Sequence, residues 1–165
     1  MRRSVFLVSA LATALFAAPA AAEEQPFSIG PKPAWYVLGG LTGGGTLIAD
    51  GSGFLGGELS VARLKAGRFF GLYGDGYYDF GAKRTYATLG PEIGWRFVGI
   101  DAGGAARLGG SRAELGATGR VFLTVGLVAI YVRYAYFPDP LRVDNDHVIQ
   151  LGGLLKFPFA SWGAK

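Results

Sequence analysis

The stretch VGLVAIYVRYAYF, residues 125–137, decides the fold because it fits either a short apolar helix or a β-strand. In a strand, successive side chains point to opposite faces, so every second residue lies on the same face. One face would then be wholly apolar or aromatic: Val128, Ile130, Val132, Tyr134 and Tyr136. The other would carry a charge: Leu127, Ala129, Tyr131, Arg133 and Ala135. Because β-branched and aromatic residues dominate and a period of two fits better than the helical period, we predict a strand.

The first 22 residues are predicted to be a cleaved signal peptide. Arg2 and Arg3 precede an apolar run at 5–18, and small residues at 20–22 form a cleavage site before Glu23. An N-terminal membrane anchor is the alternative, but the apolar run is short for a spanning helix and its small-residue ending favours cleavage. We therefore expect an exported protein.

Composition excludes several classes of protein. The signal peptide contains two basic and no acidic residues, so its removal lowers Lys plus Arg from 16 to 14 against 12 acidic residues and lowers the formal charge from +4 to +2. No clustered basic patch is evident, and a nucleic-acid partner is not expected. The chain has no cysteine, so disulfides cannot stabilise it. Its 28 glycines follow no collagen-like period and lack the composition typical of disorder.

Turn residues divide the mature chain into eight predicted strands. These are 35–48, 54–65, 68–81, 85–97, 98–108, 111–123, 125–137 and 147–159. Most are longer than the roughly 9 to 11 residues that a tilted strand needs to cross a bilayer. Glycine, Asp, Asn and Pro mark most connections, but little polar sequence marks the turns expected near Val98 and Thr124.

In each predicted strand one face is nearly free of charge and the other collects the charged residues. The acidic ones are Glu58, Asp75, Asp79, Glu92, Asp101 and Glu114. The basic ones are Arg96, Arg107, Arg112, Arg120, Arg133 and Lys156. A soluble, ligand-binding barrel of the periplasm would turn the apolar face inward, whereas a membrane barrel would turn the charges inward. Alternation alone does not distinguish these two barrels.

Aromatic residues on the apolar face form two groups, which favours the membrane barrel. One group lies at one end of the alternately directed strands: Trp35, Phe70, Trp95, Phe97, Phe157 and Phe159. The other lies at the opposite end: Tyr78, Phe80, Tyr134 and Tyr136. Two aromatic belts around an aliphatic band are typical of a barrel that reaches two membrane interfaces. We predict an all-β, eight-stranded antiparallel up-and-down transmembrane barrel at 35–159, with a lead-in at 23–34 and a tail at 160–165.

Across the whole mature chain this pattern resembles the small eight-stranded outer-membrane barrels, of the type of the outer membrane protein A transmembrane domain and outer membrane protein X. Outward Leu155, Phe157 and Phe159 in the last predicted strand are similar to the C-terminal signal of that family. The chain differs in continuing through 160–165 and in having three short outward loops. The resemblance implies an outer-membrane location, contact with lipid and lipopolysaccharide, and recognition by the assembly machinery. It also implies a structural or surface-interaction role; no enzymatic activity and no cofactor are predicted.

The lumen is predicted to be plugged. An even strand number puts both termini on the periplasmic side, so the connections at 49–53, 82–84, 109–110 and 138–146 should face outward. The interior of an eight-stranded barrel is just wide enough for side chains, and equal numbers of inward acids and bases can pair there. The alternatives are charges unpaired at solvated rims, or a narrow pore along the inward face of the first strand. That face consists of Gly40, Thr42, Gly44 and Thr46.

Candidate catalytic residues are nearly absent. His147, the single histidine, lies close to Asp144 and Asp146 where the last strand begins. A histidine near an aspartate at the outer rim is similar to the outer-membrane lipid A acylases and deacylases. No His-x-Ser pair is present, however, and the nearest rim serine by topology is Ser111. We predict that His147 is an exposed loop residue, and we predict no metal site.

Overall fold

The computed structural model describes residues 33–47, 51–109, 113–138 and 147–163. They form eight strands: β1 (Ala34–Thr46), β2 (Gly53–Lys65), β3 (Arg68–Asp79), β4 (Arg84–Trp95), β5 (Val98–Leu108), β6 (Glu114–Val125), β7 (Val128–Tyr136) and β8 (His147–Trp162). These described residues include no helix long and apolar enough to cross a membrane. The predicted signal peptide and almost all of the lead-in, together with Ser111, Arg112, Asp144 and Asp146, lie outside the described residues.

The eight strands form one closed barrel. Each strand pairs antiparallel with the next strand of the chain, and β8 pairs antiparallel with β1. Closure leaves no strand edge without a partner, so the ladder hydrogen bonds of all eight strands are made within the barrel. The predicted eight-stranded antiparallel barrel is confirmed, and the strand ends lie within three residues of the predicted ones.

Three two-residue turns close one end of the barrel, where β1 begins and β8 ends. We call this the terminal end and the opposite one the loop end. Ala66 and Gly67 in the first turn both have positive φ, 49° and 70°, as a type I′ turn requires. The second turn was predicted near Val98, but the chain turns at Arg96, whose φ is 52° and whose amide donates to the carbonyl of Gly67 at 2.5 Å.

The apolar face of each strand points outward. Leu59 and Leu89, in the middle of β2 and β4, are 57 and 67% exposed, and Leu115, near the start of β6, is 73% exposed. The charged face is turned inward, where Arg120 and Arg133 are among the most completely buried side chains of the described residues. The core of this barrel is therefore its lumen, where buried charged residues pack together with buried aromatic ones.

β8 is longer than predicted. Residues 160–162 were expected to belong to a C-terminal tail, but they continue the strand and pair with the start of β1. Trp162 lies opposite Trp35, and their rings stack with centroids 6.3 Å apart and planes 7° apart. The register shifts between Val37 and Leu38, which lets β8 follow the first residues of β1. Ala34, predicted to be in the lead-in, belongs to β1 because it pairs with Leu64 of β2.

Candidate functional site

The centre of the lumen contains an ion network around Arg120. Its Nη1 lies 2.5 Å from Glu58 Oε2 and 3.9 Å from Asp75 Oδ2, and its Nε lies 2.6 Å from Asp101 Oδ2. These four side chains are at most 1% exposed. Because the carboxylates come from β2, β3 and β5, one guanidinium on β6 joins four strands of the barrel.

Two further cations complete the network. Arg133 pairs with Asp75, and Lys156 Nζ lies 2.5 Å from Glu58 Oε1 and 3.2 Å from Glu92 Oε2. The network thus contains four carboxylates and three cations, which nearly balance. Buried charges are tolerated only when they are paired in this way, so the network restricts which strand registers the barrel can adopt.

The two buried arginines also lie over aromatic rings. The guanidinium carbon of Arg120 is 5.0 Å from the ring centroid of Tyr73 and 5.1 Å from that of Tyr131. The same atom of Arg133 is 5.0 Å from the ring centroid of Tyr77. Cation–π contacts of this kind are strongest where water is excluded, and they add to the ion pairs.

Aromatic layers lie on both sides of the ion network. Toward the loop end, four rings follow one another with centroids 4.9 to 5.8 Å apart: Phe54, Tyr77, Tyr86 and Phe137. Toward the terminal end, the rings of Phe69 and Phe122 stack with centroids 5.8 Å apart. Sequence reasoning did not include Phe54, Phe69, Phe122 or Phe137 among the inward residues. Alternation could have placed Phe122 in the lumen, because it lies two residues from the inward Arg120 and therefore on the same face of β6.

The inward threonines of β1 are covered by other lumen side chains. Thr42 Oγ1 lies 2.6 Å from the hydroxyl of Tyr131, and Thr46 Oγ1 donates to Asp79 at 2.7 Å. Both threonines are almost fully buried. The space in front of these two threonines is therefore occupied by other side chains, which argues against the narrow pore considered along this face.

A second ion cluster lies near the loop end. Glu114 accepts hydrogen bonds from Arg107 and from Arg84, whose Nη1 lies 3.1 Å from Glu114 Oε1. The three side chains are partly exposed, between 11 and 22%. Arg84 was not among the predicted inward charges, although it lies two residues before the inward Tyr86 and therefore on the same face of β4. Its position directly after a turn hid that relation.

Asp79 forms no ion pair with a cation of the described residues, contrary to the prediction for the lumen charges. Its Oδ1 accepts hydrogen bonds from Ser52 Oγ at 2.5 Å and from the amides of Gly81 and Ala82 at 3.0 Å each. Its other oxygen accepts from Thr46. Asp79 therefore holds the β3–β4 connection against the β1–β2 connection, because it is the last residue of its strand and lies beside backbone amides.

Arg96 was predicted to be an inward charge, and this prediction is wrong. The residue lies in the turn between β4 and β5, is exposed, and places its guanidinium 5.3 Å from the ring centroid of Trp95. Alternation holds only within a strand, and β4 ends at Trp95. The remaining predicted charge, Arg112, lies outside the described residues.

The two predicted aromatic groups lie outside the barrel at opposite ends. At the terminal end, Trp35 packs edge-on against Phe70 with ring centroids 5.6 Å apart. Trp95, Phe97, Phe157 and Phe159 lie at the same end and are exposed. At the loop end, Tyr78 packs edge-on against Phe80 at 5.3 Å, and Tyr134 and Tyr136 lie at the end of β7.

His147 belongs to the loop-end aromatic group. Its Nδ1 lies 2.6 Å from the hydroxyl of Tyr134, and its ring centroid lies 5.1 Å from that of Tyr136. The side chain is exposed at the start of β8. Within the described ranges, no three His, Cys, Asp or Glu side chains are grouped so that they could hold a metal ion.

No protein-family model matches the chain, and no curated protein is detectably similar to it in sequence. Its function is therefore inferred from the barrel itself. The lumen side chains can hold eight strands in one register and can obstruct passage along the axis. The outer surface offers an apolar band between two aromatic groups.

Proposed function

We propose that this protein is an outer-membrane β-barrel with a side-chain-filled lumen that serves a structural role in the envelope. The observation that carries the proposal is the inversion of its two faces. Charged side chains are buried inside, while large aliphatic side chains such as Leu89, Leu115 and Val125 are exposed around the outside.

An apolar surface of this extent favours a lipid environment. Soluble monomers rarely expose continuous apolar patches of more than a few hundred Å². Among the described residues, 30 large apolar side chains are exposed, and they include residues from every strand. Hydrocarbon also requires every backbone polar group to be bonded internally, and a closed barrel meets that requirement.

The aromatic groups support a membrane-spanning orientation. Tyr and Trp are favoured at membrane interfaces, and the two groups lie at opposite ends of an aliphatic band. Because β1 begins and β8 ends at the same end of the barrel, the terminal end would lie at the periplasmic leaflet and the loop end at the lipopolysaccharide leaflet. The predicted signal peptide and the outward Leu155, Phe157 and Phe159 agree with export and with recognition by the assembly machinery.

The filled lumen favours a structural role over transport. Ions that entered the barrel would meet two aromatic layers and a network whose carboxylates and cations are already paired. The same pairs join strands that are not neighbours, which strengthens the barrel as a rigid element of the membrane.

Fractionation with a heat-shift gel tests the proposal. The protein, expressed with its leader, should be found in the outer membrane and should migrate differently on a detergent gel before and after boiling. Leu59→Arg, in the middle of the apolar band, should reduce the heat-shifting form, because an arginine at mid-membrane costs about 2–4 kcal/mol. Leu127→Arg, in a terminal-end turn, is the matched control and should assemble normally. A soluble periplasmic species without a heat shift would overturn the proposal.

A further inference from the structure

Three basic side chains meet on the outer surface at the terminal end. Arg63 and Lys65 end β2, and Arg68 begins β3 after the turn. Lys65 lies directly opposite Arg68 in the antiparallel pair, and Arg63 lies opposite Phe70. The three residues lie within six positions of the chain, 63–68, so the expectation that no basic patch is present is wrong at this turn. Like charges opposite each other destabilise a sheet, so this arrangement calls for an anion.

No carboxylate of the described residues neutralises these three cations. None of the three cations lies within ion-pair distance of a carboxylate of the described residues. The described acidic side chains instead face the lumen: Glu58, Asp75, Asp79, Glu92, Asp101 and Glu114. The outer face at this end is therefore positive, with no acidic side chain of the described residues beside it.

The three cations border a groove with aromatic walls. The groove has a volume of about 430 Å³ and is lined by Arg63, Lys65, Ala66, Arg68, Phe70 and Trp95. Trp95 lies opposite Arg68 in the β3–β4 pair, so the apolar wall continues directly from the basic one. A ligand with a phosphate beside an apolar chain fits both walls, since guanidinium groups bind phosphate oxygens in pairs and aromatic rings pack against methylene groups.

We propose that this groove binds the headgroup phosphate of an anionic glycerophospholipid in the periplasmic leaflet. The inference rests on the proposed function, because it requires the terminal end to lie at that leaflet. A headgroup with its own ammonium fits less well, since it would add positive charge beside Arg63, Lys65 and Arg68, and Arg96 already lies over Trp95. Lipopolysaccharide is not the occupant, since it faces the loop end.

Quenching of Trp95 fluorescence by brominated lipid tests the inference. The protein with Trp35→Phe and Trp162→Phe keeps Trp95 as its one tryptophan. It is refolded into phosphatidylcholine vesicles that contain the same minor fraction of brominated phosphatidylcholine or brominated phosphatidylglycerol. The anionic lipid should be enriched beside Trp95 by roughly five-fold, as one cation near a lipid surface contributes about that factor. High salt should reduce the enrichment.

Substitution identifies the groups responsible. Arg63→Gln, Lys65→Gln and Arg68→Gln together should abolish the preference, whereas Lys83→Gln in a loop-end turn is the control and should retain it. If the triple variant does not refold, Arg68→Gln alone should reduce the enrichment. Equal quenching by both lipids would overturn the inference and leave the membrane proposal standing. Absence of quenching by either lipid would overturn the membrane proposal itself. A preference that survives both high salt and the triple substitution would show that the three cations are not its cause.

Discussion

Arg120 and Glu58 lie 62 positions apart in the chain, yet Nη1 of the first and Oε2 of the second are 2.5 Å apart. Arg120 is on β6 and Glu58 is on β2, which are opposite walls of an eight-stranded barrel. The pair therefore crosses the lumen. Asp101 and Asp75 contact the same guanidinium, so the loss of Arg120 would leave three buried carboxylates with weakened compensation.

Replacing Arg120 by Met should lower the free energy of unfolding by about 3–5 kcal/mol, because breaking a buried ion pair leaves an uncompensated charge. Urea unfolding of the refolded protein in lipid vesicles measures the change. Arg96→Gln is the control, since Arg96 is exposed in a turn and its loss should have little effect.

Neutralising the partners as well should restore part of the loss. A triple variant with Arg120→Met, Glu58→Gln and Asp101→Asn removes Arg120 together with its two closest carboxylates, and the remaining Asp75 keeps its pair with Arg133. If the triple variant is more stable than Arg120→Met, the destabilisation caused by Arg120→Met comes from the carboxylates it leaves unpaired. If the triple variant were less stable than Arg120→Met alone, the cost would come from lost packing around Arg120.

Gly103→Ala should destabilise the barrel by about 1–3 kcal/mol through overpacking, whereas Gly104→Ala should not. A Cβ added at Gly103 would overlap the carbonyl oxygen of Leu89 and approach the Cα of Gly90 on β4. A Cβ added at Gly104 would meet nothing within 4 Å. Urea unfolding of the two variants compares neighbouring residues of one strand. Equal stability of both would show that β4 and β5 separate easily at this point.

Alternation predicted the faces of this barrel but not its ion pairs. Side chains alternate with a period of two in any strand, so Arg120 and Asp101 could be placed inward from their own segments. Which residues meet depends on the register of eight strands and on closure of β8 onto β1. No feature of the sequence around Arg120 points to Glu58, four strands away.

The errors lie where the chain leaves regular strand geometry. In the sequence, Arg96 fits the inward face of β4. In the structure its backbone has a positive φ and begins a turn, so its side chain is exposed. Asp79 ends β3 and bonds to backbone amides of the following turn instead of a cation. Residues 160–162 lack a strong strand pattern, and their pairing with β1 depends on the irregularity after Val37.

His147→Ala should leave the lipid A of the host cell unchanged. In the structure Nδ1 of His147 is engaged by the hydroxyl of Tyr134, and the ring packs near Tyr136 as part of the outward aromatic group. Mass spectrometry of lipid A should give identical spectra from cells that carry the wild type, the variant or no protein. A modification seen only with the wild type would favour the lipid-modifying alternative.

The protein should give no persistent conductance in planar lipid bilayers, because the rings of Phe69 and Phe122, the Arg120 network and the loop-end aromatic layer obstruct the axis in series. Removing the first obstacle with Phe69→Ala and Phe122→Ala should leave the bilayer closed, since the ion network still fills the centre. A water-filled porin barrel in the same bilayer provides the positive control. Stable openings of the wild type would contradict a filled lumen. Openings seen only with the double variant would show that the rings of Phe69 and Phe122 close the lumen. The ion network would then contribute to strand register but not to closure.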